Sequence, residues 1–160
     1  MRLTDQYVWH IVFSLFFVWM LVYGTLLLDM YAVRTIESLS VFELALIVLA
    51  SFRLTRLFVY DSIMGFFRDQ FYDVSTKRGN GTQLAKPASG PRRTVADLIS
   101  CPWCMGMWIT ATVVFFYLLS PYTHFIIYIL ALAGVVTPLQ LIANLIGWKA
   151  EQTKRDVEQL

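Results

Sequence analysis

Long uncharged apolar runs constrain this chain more than any other feature. Residues 7–28 read YVWHIVFSLFFVWMLVYGTLLL and contain no fully charged side chain. A helix needs roughly 20 apolar residues to cross the hydrocarbon core of a bilayer. The run is too long for the apolar part of a signal peptide, and no small-residue cleavage site follows it. We therefore predict a retained membrane-spanning helix.

Three further apolar runs occupy residues 41–60, 102–119 and 122–148. Glu43, Arg53 and Arg56 interrupt the first of them, whereas the other two carry no full charge. Only a short turn separates the last two runs, so they must form an antiparallel helical hairpin. Pro138 is expected to kink the last helix because proline removes a backbone donor. Together the runs predict an all-α integral membrane protein, folded as a four-transmembrane-helix bundle.

Composition agrees with this class. Of the 160 residues, 58% are hydrophobic and only 15% are charged, whereas soluble domains average about 45–50% apolar and about 25% charged residues. A chain of this length is expected to form one domain, over residues 1–160. The net charge of +2 is small, so the distribution of the basic residues carries more information than their sum.

The basic residues are concentrated on one side of the predicted membrane. The connection between the first and second runs contains Arg34 alone, and the polar tail 149–160 contains three basic residues. The connection between the second and third runs contains six, namely Arg68, Lys77, Arg78, Lys86, Arg92 and Arg93. Cytoplasmic loops of membrane proteins are enriched in Lys and Arg. We therefore predict a multi-pass protein of the inner (cytoplasmic) membrane with both termini in the cytoplasm.

The long cytoplasmic connection divides into two parts. In residues 61–74, Ile63, Phe67, Phe71 and Val74 share one helical stripe, which predicts an amphipathic helix in the membrane interface. The alternative is a short extension of the second helix that packs on the bundle. Residues 75–93 are polar and net basic, so we predict a flexible basic loop that contacts membrane lipid. No aromatic residues interleave its charges, so nucleic acid is not a predicted partner.

A polar cluster is predicted at the cytoplasmic half of the bundle. Arg53 and Arg56 are three residues apart and share a helix face. Arg53 is deep enough in its run to need a partner inside the bundle, and Asp61 is a candidate. Gln140 and Asn144 lie at a similar depth in the fourth run and can face the arginines. Two interpretations stay open, because such a cluster either holds the helices together or binds a ligand or partner.

The only two cysteines flank a proline and a tryptophan, in the sequence CPWC. Proline disfavours helical geometry in the preceding residue and suits the first helical position, which makes Cys101 the N-cap, Pro102 the N1 residue and Cys104 the N3 residue. The helix N-terminus would stabilise a thiolate at Cys101.

Three interpretations of CPWC are open: a redox pair, half of a four-cysteine zinc site shared by two chains, or the structural start of the third helix, with Trp103 and Trp108 as interfacial anchors. The reducing cytoplasm and the shortage of ligands favour the structural start. We therefore predict no catalytic residue, bound metal or cofactor.

Two segments together resemble a known family. SFRLTRLFVYDSIMGFFRDQF, at residues 51–71, and LISCPWCMGMW, at residues 98–108, are similar to the family catalogued as domain of unknown function 1360. It consists of small membrane proteins of Gram-positive bacteria and their phages, including the YjcA-type sporulation proteins. The pattern maps onto Arg53, Thr55, Arg56, Tyr60, Asp61, Arg68, Cys101, Pro102, Trp103, Cys104, Gly106 and Trp108. The resemblance implies that the arginine pair and CPWC form one feature, and it implies no reaction.

The sequence contains none of the motifs G-x-S-x-G, H-E-x-x-H or a phosphate-binding loop. We therefore interpret the chain first as a non-enzymatic membrane interaction or accessory protein of phage or Gram-positive bacterial origin, whose partner is another protein or a second copy of itself. Two alternatives stay open. One is a membrane thiol oxidoreductase or thiol sensor that uses CPWC, and the other is a phage holin-like or lysis-related membrane protein.

Overall fold

A computed structural model describes residues 3–76 and 82–158, and this part of the chain is nearly all helical. The helices are α1 (Leu3–Tyr31), α2 (Val41–Val59), α3 (Gly65–Asp69), α4 (Pro91–Ser100), α5 (Pro102–Leu119) and α6 (Thr123–Glu158). Two short strands, β1 (Asp73–Thr76) and β2 (Thr82–Ala85), pair antiparallel, with Asp73 opposite Ala85. The four long helices, α1, α2, α5 and α6, dominate the described part of the fold.

Within residues 3–76 and 82–158, three helices are long and apolar enough to cross a membrane. They are Gln6–Tyr31 within α1, Pro102–Leu119, which is α5, and Thr123–Val157 within α6. The fourth predicted span, α2, has 19 residues but carries three charges, Glu43, Arg53 and Arg56, and is not among them. Apolar length and composition therefore support an integral membrane protein with three candidate spans, one fewer than the sequence predicted.

Helix α2 nevertheless lies at the centre of the fold. A capping box starts it, because the Ser40 hydroxyl accepts from the Glu43 backbone N–H and the Glu43 carboxylate accepts from the Ser40 backbone N–H. Gly134 of α6 approaches α2 so closely that an added Cβ would lie 2.5 Å from the Leu49 carbonyl oxygen. The core between α2, α5 and α6 consists of Leu46, Ile47, Ala50, Ile109, Val113, Tyr117, Ile127 and Ala131.

Helix α1 packs on the outside of this core. None of its apolar window is buried, and its main contacts are with α5 and α4. Phe16 and Phe17 of α1 lie against Trp108 of α5, with ring centroids 5.9 Å and 4.7 Å apart. Trp108 therefore joins α1 to α5, and its role as an interfacial anchor stays a prediction.

The prediction of one amphipathic helix over residues 61–74 is wrong for the residues beyond Asp69. A 3-10 turn at Ser62–Met64 leads into the short α3, and the chain then enters β1. Arg68 folds this segment back over the end of α2, since its guanidinium donates to the Phe58 and Asp61 carbonyl oxygens at 2.9 Å and 3.0 Å. Phe67 packs edge-on against Phe58. The predicted alternative, a segment that packs on the bundle, is closer to the structure.

Residues 75–93, predicted as one loop, contain parts of three elements of regular structure. β1 ends at Thr76, β2 lies wholly within the segment, and α4 begins at Pro91. Gly90 turns the chain into α4 with a φ of 95°, a backbone conformation that favours glycine. Pro91 is the first residue of α4, and its ring holds φ near the helical value. Lys77 and Arg78, which supported the predicted orientation, lie outside the described residues.

The polar tail predicted from residue 149 is the last part of helix α6, which continues to Glu158. Its residues are good helix formers, and Arg155 pairs with Glu151 one turn earlier. Pro138 lies inside α6. The Thr137 hydroxyl beside it donates to the Ala133 carbonyl oxygen at 2.8 Å. The carbonyl that loses its usual N–H partner to the proline is that of Gly134.

Candidate functional site

An ion pair closes the end of α2. Arg53 Nη1 lies 2.9 Å from Asp61 Oδ2, and both side chains are about three-quarters buried, with 25% and 26% exposed. Arg68 completes the arrangement through its bonds to the Phe58 and Asp61 carbonyl oxygens. Cations suit this position because the last carbonyl groups of a helix lack intrahelical partners and carry partial negative charge. The structure therefore brings together three of the predicted site residues.

Arg56 has a different environment from Arg53. Its guanidinium lies over the ring of Tyr60, 5.5 Å from the centroid, within the range of a cation–π contact. Its Nε atom is buried and has no hydrogen-bond partner in the described structure. The two arginines share a helix face but do not share a counter-charge.

Gln140 and Asn144 do not join the arginine cluster. Both are exposed, and the Gln140 amide donates to the Asn144 oxygen at 3.1 Å. Neither amide hydrogen-bonds to Arg53 or Arg56 in the described part of the chain. Every described residue of α6 from 139 to 157 is exposed, so this half of the helix has left the core after the close approach at Gly134. The similar depth of these amides and the arginines in the predicted membrane therefore did not bring them into contact.

The cysteine motif forms the start of α5, and the predicted N-cap is confirmed. The Cys101 sulfur accepts from the Cys104 backbone N–H at 3.3 Å, and Pro102 is the first helical residue. Both cysteines are free, and their sulfurs are 2.6 Å apart. The hydrogen bond from the Cys104 thiol, followed by that from the Cys104 backbone N–H, lowers the pKa of Cys101 below its usual value. The corner therefore favours a thiolate at Cys101.

The other motif residues position this corner. Gly106 faces Thr55 of α2, where an added Cβ would lie 3.8 Å from the Thr55 hydroxyl oxygen. Trp103 points outward and is 86% exposed. No hydrogen bond or ion pair joins Arg53 or Arg56 to either cysteine among the described residues. The expectation that the arginines and CPWC form one polar feature is therefore not met by direct contacts.

A carboxylate beside the cysteines organises the chain that leads into α5. Asp97 of α4 accepts from Lys86 Nζ at 2.8 Å and from Arg93 Nε at 3.0 Å. Lys86 Nζ also donates to the Ser100 hydroxyl at 2.7 Å. Partial burial raises the pKa of Asp97, but the hydrogen bonds from Lys86 and Arg93 outweigh it, so the net pKa lies below the usual value. The i, i+4 spacing of Arg93 and Asp97 was the sequence signal for this pair.

We expect Asp97 to make stability depend on acid pH. Because its pKa is lowered in the folded state, its contribution is present above the unfolded pKa of about 3.9 and is lost as the pH falls through the lower folded value. Thermal unfolding should therefore show wild type to be more stable than Asp97→Asn near neutral pH. The difference should shrink in strong acid, and a difference that does not change with pH would contradict this.

A cavity of about 610 Å³ opens beside the cysteines, between α1, α4 and α5. Cys101, Cys104 and Asp97 line one side, and His10 of α1 lines it as well. The sequence did not predict that His10 would line this cavity, because nothing in a sequence shows which helix lies opposite which. The predicted cluster thus separates into three places: the ion-paired end of α2, the cysteine corner with its cavity, and the exposed amides of α6.

Comparison with known families identifies the chain. A family profile described as "Protein of unknown function (DUF1360)" matches residues 46–143, which include the ion pair at the end of α2, the cysteine corner and the α2–α6 contact. The chain belongs to this family.

Two proteins of Bacillus subtilis (strain 168) are similar to the chain. "Sporulation protein YjcA" is 30% identical over 106 residues, covering 63% of this chain and 90% of the relative. "UPF0713 protein YngL" is 32% identical over 108 residues, covering 65% of this chain and 80% of the relative. No solved structure matches.

The DUF1360 match begins inside α2, so α1 lies outside it. Helix α1 supplies His10 to the cavity and the two phenylalanines against Trp108. The wall of the cavity formed by α4 and α5 therefore lies in the family region, whereas the opposite wall is added by this chain's first helix.

We predict that the Arg53–Asp61 pair in this DUF1360 protein is energetically coupled. A double-mutant cycle of Arg53→Gln, Asp61→Asn and the double variant, followed by thermal unfolding in detergent, should give a coupling free energy of about 1–2 kcal/mol. Partial exposure of both groups keeps the value below that of a fully buried pair. Additive effects of the two substitutions would show that the pair contributes nothing beyond its separate side chains.

Proposed function

We propose that this DUF1360 protein is a four-span protein of the cytoplasmic membrane and acts there as a non-enzymatic interaction or accessory protein. Its termini and residues 61–101, which we name the cap, lie on the cytoplasmic face. The name of one relative, a sporulation protein of Bacillus subtilis, supports a role in a Gram-positive cell or in a phage that infects one.

The pairing of two of its three charges, Glu43 and Arg53, supports α2 as the fourth span. A helix of 19 residues is about 28 Å long at roughly 1.5 Å per residue, close to the ~30 Å of the hydrocarbon core. Glu43 near one end bonds Arg34 and the Tyr117 hydroxyl, and Arg53 near the other end bonds Asp61. Ionisable groups inside membranes are tolerated when they pair in this way.

The single observation that carries the interaction role is that the cap is folded against the bundle. Its contacts with the bundle include the Arg53–Asp61 pair and the hydrogen bond from Gln6 of α1 to Thr94 at 2.9 Å. The Arg92–Asp73 pair at 3.2 Å joins two parts of the cap itself. A loop that only connects two spans does not need these contacts. They hold a defined surface in place at the end of the bundle.

The outer surface of the cap is suited to contact with lipid or protein. Ile63 and Phe66 of the cap are 69% and 68% exposed, and Trp103, in the first turn of α5 next to the cap, is 86% exposed. Large apolar side chains rimmed by charges commonly mark interaction surfaces. The cap therefore offers apolar contacts beside the basic groups Arg92 and Lys86, a combination that also suits anionic headgroups.

Site-specific photo-crosslinking in living cells tests the interaction role. A photoreactive amino acid at Phe66 should give a discrete protein adduct, whereas the same probe at Leu15, an exposed residue of the membrane-spanning α1, should not. The Asp61→Asn substitution, which loosens the cap, should weaken the Phe66 adduct. An adduct of twice the chain mass identifies a second copy as the partner. Failure to obtain any specific adduct at Phe66 would reject the role.

A second candidate function, a membrane thiol oxidoreductase or thiol sensor, is favoured by the contact between the two sulfurs and by the exposure of Cys104. Oxidation would join the sulfurs in a disulfide and pass two electrons and two protons to a thiol-reactive oxidant. Alkylation of cells treated with such an oxidant, followed by mass analysis, should then show protected cysteines. If Cys101 and Cys104 stay fully alkylatable, this candidate fails.

A further inference from the structure

Three sulfur-containing side chains line one wall of the cavity between α1, α4 and α5. They are Cys101, Cys104 and Met107. Successive members are three residues apart, so they follow one face of the first turns of α5. Cys104 and Met107 are exposed, and Cys101 is partly exposed, which leaves all three within reach of a ligand that enters the cavity.

The chemistry of this set selects for a soft metal ion. Within the described residues, no group of three or more His, Cys, Asp and Glu side chains could hold a metal. A structural zinc site, which needs four such ligands, is therefore absent from the described part of a single chain. Thiolate and thioether sulfurs select for Cu(I) over harder cations, and Cu(I) is held well by as few as two thiolates.

We propose that Cys101 and Cys104 bind one Cu(I) ion as thiolates, with the Met107 thioether as a third, weaker ligand from the cavity wall. Binding releases two thiol protons to solvent, forms two copper–sulfur bonds and transfers no electron. The sulfurs, now 2.6 Å apart, separate by rotation of their side chains to admit the ion between them.

The surroundings of the corner favour the charge of such a complex. Two thiolates and one Cu(I) ion carry a net charge of −1. The N-terminus of α5, capped by Cys101, provides backbone N–H groups and the positive end of a helix dipole. Lys86 places its ammonium group 2.7 Å from the hydroxyl of Ser100, the residue before Cys101. The apolar side chains Phe13 and Phe17 of α1 face the same cavity.

Anaerobic titration of the reduced full-length protein in detergent tests the site. Cu(I) is delivered in a chromogenic chelator that competes for it, so that binding is read as loss of chelator colour. We expect one Cu(I) per chain and a sulfur-to-copper charge-transfer band in the ultraviolet. Cys101→Ser and Cys104→Ser should each lower the affinity for Cu(I) by more than roughly 10–100-fold, which is the loss expected when only a group that supports a metal ligand is removed. Met107→Leu should lower the affinity for Cu(I) less than either serine substitution.

Trp103→Phe is the matched control, because Trp103 lies between the cysteines but is 86% exposed and is not part of the cavity lining; it should bind Cu(I) like wild type. Unchanged affinity in both serine variants would overturn the proposal. So would binding of one Zn²⁺ per two chains in preference to Cu(I), which indicates a site shared by two copies.

A measurement on the wild-type protein keeps the proposal falsifiable even if a serine variant fails to fold. One equivalent of Cu(I) should protect both cysteines from alkylation under reducing conditions, as read by intact mass. Removal of the copper with a strong chelator should restore alkylation, which distinguishes a metal complex from a disulfide. Full alkylation in the presence of Cu(I) would reject the site.

Discussion

Gly134→Ala should destabilise the bundle, and Gly134→Leu should prevent its normal assembly. A Cβ at this position would lie 2.5 Å from the carbonyl oxygen of Leu49, and that neighbour is backbone, which cannot rotate out of the way. Overpacking of this kind costs about 1–3 kcal/mol or more. Close approach through small residues is a common basis of helix packing in membranes, and here it joins α6 to α2.

The matched control lies on the same helix. Gly147 has no heavy atom within 4 Å of the position of an added Cβ, so Gly147→Ala should cost nothing and, because alanine is the better helix former, should stabilise α6 slightly. Thermal unfolding of the purified variants in one detergent, together with their steady-state level in the membrane, gives the comparison. Equal stability of the Gly134 and Gly147 variants would show that α2 and α6 do not meet at Gly134.

Glu43→Ala should have the second large effect, because it removes several bonds at the start of α2. The carboxylate accepts from the Ser40 backbone N–H at 2.8 Å, from the Tyr117 hydroxyl at 3.0 Å and from Arg34. The reciprocal half of the capping box, the bond to the Ser40 backbone N–H, is lost at a cost of about 0.5–1.5 kcal/mol, and a buried hydroxyl left unpaired costs about 1–3 kcal/mol. Arg34 is 38% exposed and contributes little. A total of about 2–4 kcal/mol is expected in thermal unfolding.

Two further variants separate these contributions. Tyr117→Phe removes only the hydroxyl of a residue that is 2% exposed and should cost about 1 kcal/mol. Glu37→Ala changes the charge by the same amount as Glu43→Ala at an exposed position in the same connection, and should have little effect. If Glu37→Ala were as harmful as Glu43→Ala, net charge rather than the bonds of Glu43 would explain the loss.

The sequence predicted those parts of the fold that local physics determines. Apolar length is a local property, and the uncharged runs coincide with α1, α5 and the first part of α6. The start of α5 was predictable for the same reason, since Pro102 constrains both its own backbone and that of Cys101. The partner of Arg53 was also predictable from the sequence, because Asp61 lies just after the end of the helix that carries the arginine.

The sequence could not predict contacts that depend on rotation of one helix relative to another. Residue counting gives depth, at about 1.5 Å per residue, but gives no direction around the helix axis with respect to a neighbour. Gln140 and Asn144 were therefore placed beside the arginines, whereas they bond each other on an exposed surface. The contact at Gly134 and the cavity wall supplied by His10 were missed for the same reason.

Apolar pattern alone also misjudged the cap. The stripe through Ile63 and Phe67 fits a helix, but the segment leaves helical geometry after Asp69 because Arg68 bonds back to the end of α2 and β1 pairs with β2. Strand pairing between residues on either side of 77–81 is a nonlocal interaction, and Asn80-Gly81 is the local sequence signal that indicates a hairpin there. Short elements of this kind are determined by tertiary contacts more than by propensity.

The central claim is that α2 crosses the membrane and places the cap and the cysteine corner on the cytoplasmic face. Single reporter cysteines in a Cys101→Ser, Cys104→Ser background test it directly, with a membrane-impermeant thiol reagent applied to intact and to permeabilised cells. Glu37→Cys should be labelled in intact cells, whereas Asp69→Cys should be labelled only after permeabilisation. Labelling of both reporters from the same side would contradict the account, because α2 would then not cross the membrane.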